Sequence, residues 1–206
     1  MPYFPFFVNI EGRRCLIAGG GRIALHKIRK LLDFSPEIHV VSREICPEIL
    51  EIPGILSERR EFRPGDIDGA FFVIAATDDT EVNSGISALC RERGIPCNAV
   101  DSPEDCSFYF PALARRGDIT VGVSTAGKSP LIAAKLRREA EALLTPELAD
   151  ICALMGELRH AVRERFPQEK QRAAVMAAAL EHCMECGKAP ELPELLDFID
   201  RLELNV

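Results

Sequence analysis

Three consecutive glycines, Gly19, Gly20 and Gly21, stand between an apolar run and a stretch with helical spacing. Gly19 and Gly21 occupy the first two positions of the pattern G-x-G-x-x-G/A, and Ala24 occupies the third. A residue without a Cβ lets backbone N–H groups approach a phosphate, and the start of a helix favours an anion. The pattern predicts a strand, a tight turn and a helix that bind the pyrophosphate of a dinucleotide. A glycine-rich turn that binds nothing is the alternative.

Apolar runs and helical stripes alternate around this turn, and they give the elements that would position it. Runs of apolar residues predict strands at 15–18, 38–41, 70–76 and 95–100, and helical spacing predicts helices at 23–32, 45–50 and 80–93. This alternation is typical of a parallel sheet, in which ligands bind outside the carboxyl ends of the strands. The residues expected to face that crevice are Gly19 to Gly21, Ser42-Arg43, Ala76-Thr77 and Asp101.

Other elements are expected before and after this region. The aromatic stretch Phe4 to Ile10 predicts a short leading strand, and the alternation from Ile119 to Ser124 predicts another strand. Ser129-Pro130 and Thr145-Pro146 are typical helix starts. The first of these helices has an apolar side made of Ile132, Leu136, Ala140 and Leu143. The second begins an all-helical tail, with further helices at roughly 168–186 and 190–204.

The residues after the second strand bear on which dinucleotide is bound. An acidic residue usually holds the ribose hydroxyls of NAD there, but this chain has Ser42-Arg43-Glu44. A Ser-Arg pair could accommodate the 2′-phosphate of NADP, and Glu44 comes slightly late for the usual ribose contact. The residues alone therefore leave the choice between NAD and NADP open.

Composition and charge limit the classes of protein. The chain has 206 residues, of which 47% are hydrophobic and 28% charged, as in ordinary globular proteins. We expect a cytoplasmic protein, because the N-terminus shows no export signal and no apolar run is long enough to span a membrane. A net charge of −7 argues against nucleic acid and anionic membranes as partners. The eight cysteines are expected to be reduced and to pack as small apolar side chains.

One segment departs from this acidic balance. Residues 112–138 carry six cations against Asp118, a charge of +5, so the rest of the chain carries −12. The cations are Arg115, Arg116, Lys128, Lys135, Arg137 and Arg138. Such a segment could bind an acidic substrate, or it could be a solvated surface.

Several separated motifs point to one family. They are Phe7–Ile10 with Cys15–Gly21, Ala75–Asp79 followed by Val82-Asn83, Cys97–Asp101, and Val123–Pro130. In this order they resemble the precorrin-2 dehydrogenase family, which includes the N-terminal part of siroheme synthases. The resemblance implies an α/β fold: an N-terminal Rossmann-like parallel sheet (1–111), a small dimerisation region (112–145) and an all-helical C-terminal domain (146–206).

The resemblance also implies an activity. Members oxidise precorrin-2 to sirohydrochlorin with NAD, some also insert ferrous iron to give siroheme, and they are homodimers. The family's essential aspartate matches Asp101, which would act as the catalytic base. Members also lack the acidic residue after the second strand, which weakens the NADP interpretation. The implied cofactor contacts are Gly19, Gly20, Gly21, Arg22, Ile23, Arg43, Glu44, Ala76 and Thr77, and the cations and hydroxyl expected near the substrate's carboxylates are Arg115, Arg116, Lys128 and Ser124.

Three alternative interpretations accompany these expectations. Asp101-Ser102-Pro103 is also good turn chemistry, so Asp101 could be a turn former. The whole chain could be a non-enzymatic, NAD(H)-sensing regulatory module whose helical tail binds a partner protein. His182, Cys183 and Cys186 could supply metal ligands, but no second Cys/His pair at zinc spacing accompanies them, and we expect no metal site.

Overall fold

The computed structural model describes residues 4–100 and 102–202. Within them the chain forms two compact units, residues 4–110 and residues 111–202. The catalytic residue expected from the sequence, Asp101, lies outside the described residues.

The first unit is built on a five-stranded parallel sheet in the order β3-β2-β1-β4-β5. Its strands are β1 (Arg14–Ala18), β2 (Glu37–Ser42), β3 (Leu56–Arg59), β4 (Phe72–Ala75) and β5 (Cys97–Ala99). The intervening helices are α1 (Arg22–Leu32), α2 (Pro47–Leu50) and α3 (Thr80–Glu92), with 3₁₀ turns at Pro64–Ile67 and Pro103–Asp105. The predicted strand, turn and helix around the glycines are therefore confirmed, as is the α/β class.

Burial explains why β1 and β4 lie inside the sheet. Ile17 of β1 stands between Val40 of β2 and Ile74 of β4 in the strand register, and all three side chains are buried. An apolar run buried on both faces is typical of a parallel strand covered by helices. Helix α1 covers one face with Ile28 and its apolar neighbours, so β1 and α1 hold the glycine turn between two packed elements.

Helix α3 packs against the sheet with most of its apolar side. Of the residues that its helical spacing places on that side, Ile86 and Cys90 are buried and Leu89 packs against the core, whereas Val82 is exposed. The buried side also contains Asn83 and Ser87. Polar Asn83 and Ser87 tolerate burial because both are hydrogen-bonded within the unit. Asp79 caps the helix by accepting from the N–H groups of Glu81 and Val82.

The predicted leading strand is wrong. Residues 4–10 form no strand, and Phe4, Phe6 and Phe7 are largely exposed. Because β1 already pairs with β2 and β4, the sheet offers no free edge beside it. Only Ile10 of this stretch packs against the core of the first unit.

The second unit combines a hairpin with four helices. Strands β6 (Ala112–Arg116) and β7 (Ile119–Val123) pair antiparallel. The helices are α4 (Pro130–Leu143), α5 (Pro146–Arg165), α6 (Glu169–Cys186) and α7 (Leu192–Asp200). The hydroxyls of Ser129 and Thr145 accept from Ile132 N and Leu148 N at 3.2 Å each, so both predicted helix caps are confirmed.

Helices α5, α6 and α7 share a core that includes Ile151, Leu158, Val175, Leu195 and Ile199. By contrast, α4, every residue of which the structure describes, has no buried side chain. None of the helices in the described residues is long and apolar enough to span a bilayer.

Candidate active site

The glycine turn between β1 and α1 is enclosed on one side and open on the other. A Cβ at Gly19 would overlap the backbone carbonyl of Ala76, and a Cβ at Gly20 would overlap the carbonyl oxygen of Glu44. At Gly21 a Cβ would meet no protein atom within 4 Å. Packing within the protein therefore requires glycine at residues 19 and 20. Gly21 instead faces a space in which a ligand can approach the backbone.

The N-terminus of α1 leaves its N–H groups available to that space. Within the described residues, the first N–H of this helix with a backbone acceptor is that of Leu25, which donates to Gly21 O at 3.0 Å. No side chain caps the helix, and its first turn contains no acidic residue. Arg22 and Ile23 lie on this first turn and are exposed. Unpaired N–H groups at a helix start favour an anion, so this turn fits the pyrophosphate of a dinucleotide.

The turn after β4 is fixed by a buried asparagine. Asn83 of α3 accepts from the backbone N–H of Thr77 at 3.0 Å and from its hydroxyl at 2.8 Å, and its amide donates to Thr77 O at 3.2 Å. These bonds hold Ala76 and Thr77 beside Gly19, where they were expected to contact the cofactor. Sequence reasoning gave Asn83 no role; the available signal was a polar residue on the apolar side of an otherwise ordinary helix.

After β2, Arg43 lies among acidic side chains. Its guanidinium is 4.0 Å from the carboxylate of Glu61 and 3.9 Å from that of Asp78, and all three side chains are largely exposed. Glu44, the next residue, is also exposed. Two carboxylates beside the guanidinium of Arg43 disfavour the 2′-phosphate of NADP at this position.

A cavity of about 210 Å³ lies at the carboxyl end of β5, the same sheet edge as the glycine turn. Val100 and Ser102, the two neighbours of Asp101 in the chain, both line it. Val100 N donates to Ala75 O at 2.8 Å, and Ser102 is buried. The described residues on both sides of Asp101 are therefore held firmly at the edge where ligands of parallel sheets bind.

The residues expected to bind substrate carboxylates lie in the second unit. Arg115 and Arg116 are on β6, and Arg116 Nε donates to Leu144 O at 2.5 Å, which shows that part of this guanidinium supports the fold. Ser124 and Lys128 are exposed in the loop between β7 and α4. The structure thus places two of the four on one strand and the other two in one loop.

The C-x-x-C segment forms part of the helical core. Cys183 is buried between helices, whereas Cys186 is exposed, and the ring of His182 stacks on Phe198 with centroids 4.1 Å apart. Within residues 4–100 and 102–202, no group of three or more His, Cys, Asp or Glu side chains is arranged to hold a metal ion. All eight cysteines are free thiols, and burial raises the pKa of Cys15 to about 12.

A parallel sheet whose first strand runs through a glycine turn into an uncapped helix defines a dinucleotide-binding domain of the Rossmann class. Residues 6–112 match the family described as "Putative NAD(P)-binding", and residues 116–143 match the family "Sirohaem biosynthesis protein central". The chain belongs to this NAD(P)-binding family, and it is similar to siroheme synthases.

Curated relatives and a solved structure agree with this assignment. The siroheme synthase of Nitrosomonas europaea is 42% identical over 176 residues, which are 84% of this chain and 37% of that protein. The siroheme synthase of Thioalkalivibrio sulfidiphilus is 38% identical over 184 residues, 88% of this chain and 38% of that protein. The chain thus spans less than two fifths of these relatives. The structure of "SirC, precorrin-2 dehydrogenase" shares the fold, with a TM-score of 0.71 at 21% identity over 97% of this chain and 100% of that one.

Proposed function

We propose that this chain catalyses the NAD-dependent oxidation of precorrin-2 to sirohydrochlorin. The observation that carries the proposal is the open, uncapped helix start at Gly21, in a chain that shares its family with siroheme synthases. The solved precorrin-2 dehydrogenase SirC shares its fold with nearly all of this chain.

Separate residues are proposed to bind the cofactor and to accept the proton. Gly21, Arg22 and Ile23 bind the pyrophosphate through backbone N–H groups, and Ala76 and Thr77, fixed by Asn83, contact the nicotinamide half of the cofactor. NAD supplies the acceptor for the hydride that aromatisation of precorrin-2 must release. The same reaction releases a proton, and Asp101 accepts it, because its neighbours line the cavity at this sheet edge.

The cofactor is NAD rather than NADP. Arg43 is the cation of the Ser42-Arg43 pair that could bind a 2′-phosphate, but the carboxylates of Glu61 and Asp78 already face it. A phosphate there would have to compete with two carboxylates for the guanidinium and would be repelled by both. The Arg43-Glu44 pair instead contacts the adenosine ribose.

The substrate is an anionic tetrapyrrole whose acetate and propionate arms need cations. Arg115, Arg116, Ser124 and Lys128 are proposed to contact them, since charge-assisted hydrogen bonds to carboxylates are stronger than neutral ones. Where the chain also acts as a chelatase, ferrous iron is a second substrate and Asp101 accepts the pyrrole protons. The cytoplasmic location expected from the sequence stays a prediction.

The exposed face of α4 is proposed to form a homodimer, as part of a dimerisation region over residues 112–145. The largest apolar side chains of this helix, Leu131, Ile132, Leu136 and Leu143, are 83%, 54%, 44% and 73% exposed. Large apolar side chains exposed to this degree on one helix indicate an interaction site, and an interface between identical copies must be self-complementary. Helix α4 and the β6–β7 hairpin would meet the same elements of a second copy.

Replacing Leu131 and Leu143 with aspartate is therefore expected to convert a dimer into a monomer, because each change puts a charge into an apolar interface. Light scattering at micromolar concentration measures the mass. Leu180→Asp is the matched control, since Leu180 on α6 is also exposed but lies outside the proposed interface, and it should leave the dimer intact. A wild-type monomer, or a double variant that stays dimeric, would contradict the proposal.

An anaerobic assay with precorrin-2 tests the function itself. We expect sirohydrochlorin and NADH to form together with NAD, and a much slower reaction with NADP. The NAD(H)-sensing alternative predicts that NADH binds and that precorrin-2 causes no change.

A further inference from the structure

A half-buried lysine of α1 lines the cavity at the carboxyl end of β5. The ammonium of Lys27 donates to Asn98 Oδ1 at 3.1 Å, and it lies 4.4 Å from the centroid of the Phe110 ring. Both partners are uncharged. Among the described residues, no carboxylate lies within ion-pair distance of this ammonium.

Among the described residues, the ammonium of Lys27 thus meets an amide oxygen and a ring face but no carboxylate. Burial lowers the pKa of this lysine, and the nearby Lys30 lowers it further. A half-buried cation that has lost part of its water shell is stabilised by an incoming anion. A carboxylate offers both the opposite charge and the acceptor atoms that a lysine ammonium needs.

Lys27 lines the same cavity as the residues next to the proposed base in the chain. The lining of this cavity includes Val100 and Ser102, which flank the proposed base Asp101. A carboxylate-bearing arm held here would fix the macrocycle at the sheet edge where Val100 and Ser102 lie. We propose that Lys27 is a substrate-binding residue that takes one carboxylate of the tetrapyrrole in this cavity, an inference that rests on the proposed function.

A purely structural role is the competing explanation, because Lys27 could fix the segment that follows β5. That segment is already anchored without it. The amide of Asn98 donates to Phe108 O at 3.0 Å, while Ser84 and Ser87 of α3 donate to the side chain and the backbone of Asp105 at 2.7 and 2.5 Å. Removal of the ammonium therefore leaves these bonds in place.

Binding of sirohydrochlorin, followed by the absorbance of the tetrapyrrole without NAD, tests the proposal. Lys27→Met is expected to raise the Kd by about 10- to 100-fold, since it removes a charged hydrogen bond. Its affinity for NAD should stay unchanged. Arg29→Met is the matched control, because it removes one exposed cation from the same helix, and it should bind like the wild type. The wild type's preference for sirohydrochlorin over its methyl ester should shrink in Lys27→Met.

The outcomes separate the two proposals. If wild-type protein fails to bind sirohydrochlorin, the proposed function falls and this inference with it. If the wild type binds and Lys27→Met binds equally well, only the role of Lys27 is overturned. The comparison is repeated in an Asp101→Ala background, because Asp101 is the other anion that Lys27 could serve. An effect of Lys27→Met that disappears there would overturn direct substrate binding.

A second measurement covers a Lys27→Met variant that does not fold. Reductive methylation of the wild type, read by peptide mass spectrometry, reports the accessibility of each amine. Sirohydrochlorin should slow methylation of Lys27 several-fold and leave the exposed Lys188 unaffected. Equal rates at Lys27 with and without ligand would overturn the assignment.

Discussion

Asp101→Ala is expected to lower the rate of precorrin-2 oxidation by about 10²- to 10⁴-fold, the usual contribution of a positioned base. The affinity for NAD should stay the same, because the proposed cofactor contacts are the glycine turn and the Ala76-Thr77 turn that Asn83 fixes. NADH formation must be followed without oxygen, since spontaneous oxidation of precorrin-2 would hide the loss.

Two comparisons make this result specific. Asp150→Ala removes an exposed carboxylate on α5 and should leave the rate unchanged. A loss of less than about tenfold in Asp101→Ala would reduce Asp101 to a turn former, because a positioned base contributes more than that. If ferrous iron insertion occurs and survives the change, the two reactions do not share this carboxylate.

Gly21→Asp is expected to abolish NAD binding while the protein still folds. The new side chain meets no protein atom at its Cβ, and the backbone angles of Gly21, φ −88° and ψ −168°, suit any residue. Two like charges about 4 Å apart near a protein surface repel by about 4 kcal/mol, so the Kd for NAD should rise at least about a hundredfold. Isothermal titration with NAD measures it.

Gly19→Ala is the matched comparison, because it is expected to damage the fold instead. Its Cβ would overlap the carbonyl of Ala76, and the backbone φ of +124° is strained for a residue with a side chain. Strain of this kind costs about 1–3 kcal/mol, before any displacement of β4, and urea unfolding measures the lost stability. A folded Gly21→Asp that binds NAD normally would contradict the assignment of the turn.

Uninterrupted apolar runs in the strands and helical apolar spacing in the helices made most of the first unit predictable. The strands at 15–18, 38–41 and 70–76 are buried on both faces, so their composition alone indicated a parallel sheet. Strand β3 could not be found this way, because all four of its residues are exposed at the sheet edge and carry no alternating pattern. For residues 4–10 the composition predicted a strand that does not form, because β1 already pairs with a strand on each side.

The candidate site was predictable in its backbone and less so in its supporting side chains. The glycine spacing located the turn, because packing against Ala76 and Glu44 restricts the residue types allowed there. The role of Asn83 was missed, because its bonds to Thr77 form only when the chain folds. The role of Lys27 was missed, because its partner Asn98 is distant in the sequence. The apolar side of α4 was recognised and interpreted as part of a dimerisation region, and its large apolar side chains are exposed in the structure.

We propose that this chain couples the oxidation of precorrin-2 to the reduction of NAD. The direct measurement is an anaerobic reaction of the wild-type protein with both compounds, in which sirohydrochlorin and NADH are quantified together. We expect one NADH for each sirohydrochlorin, and neither product with Gly21→Asp. Tight NADH binding with no conversion of precorrin-2 would contradict the claim and favour an NAD(H)-sensing module.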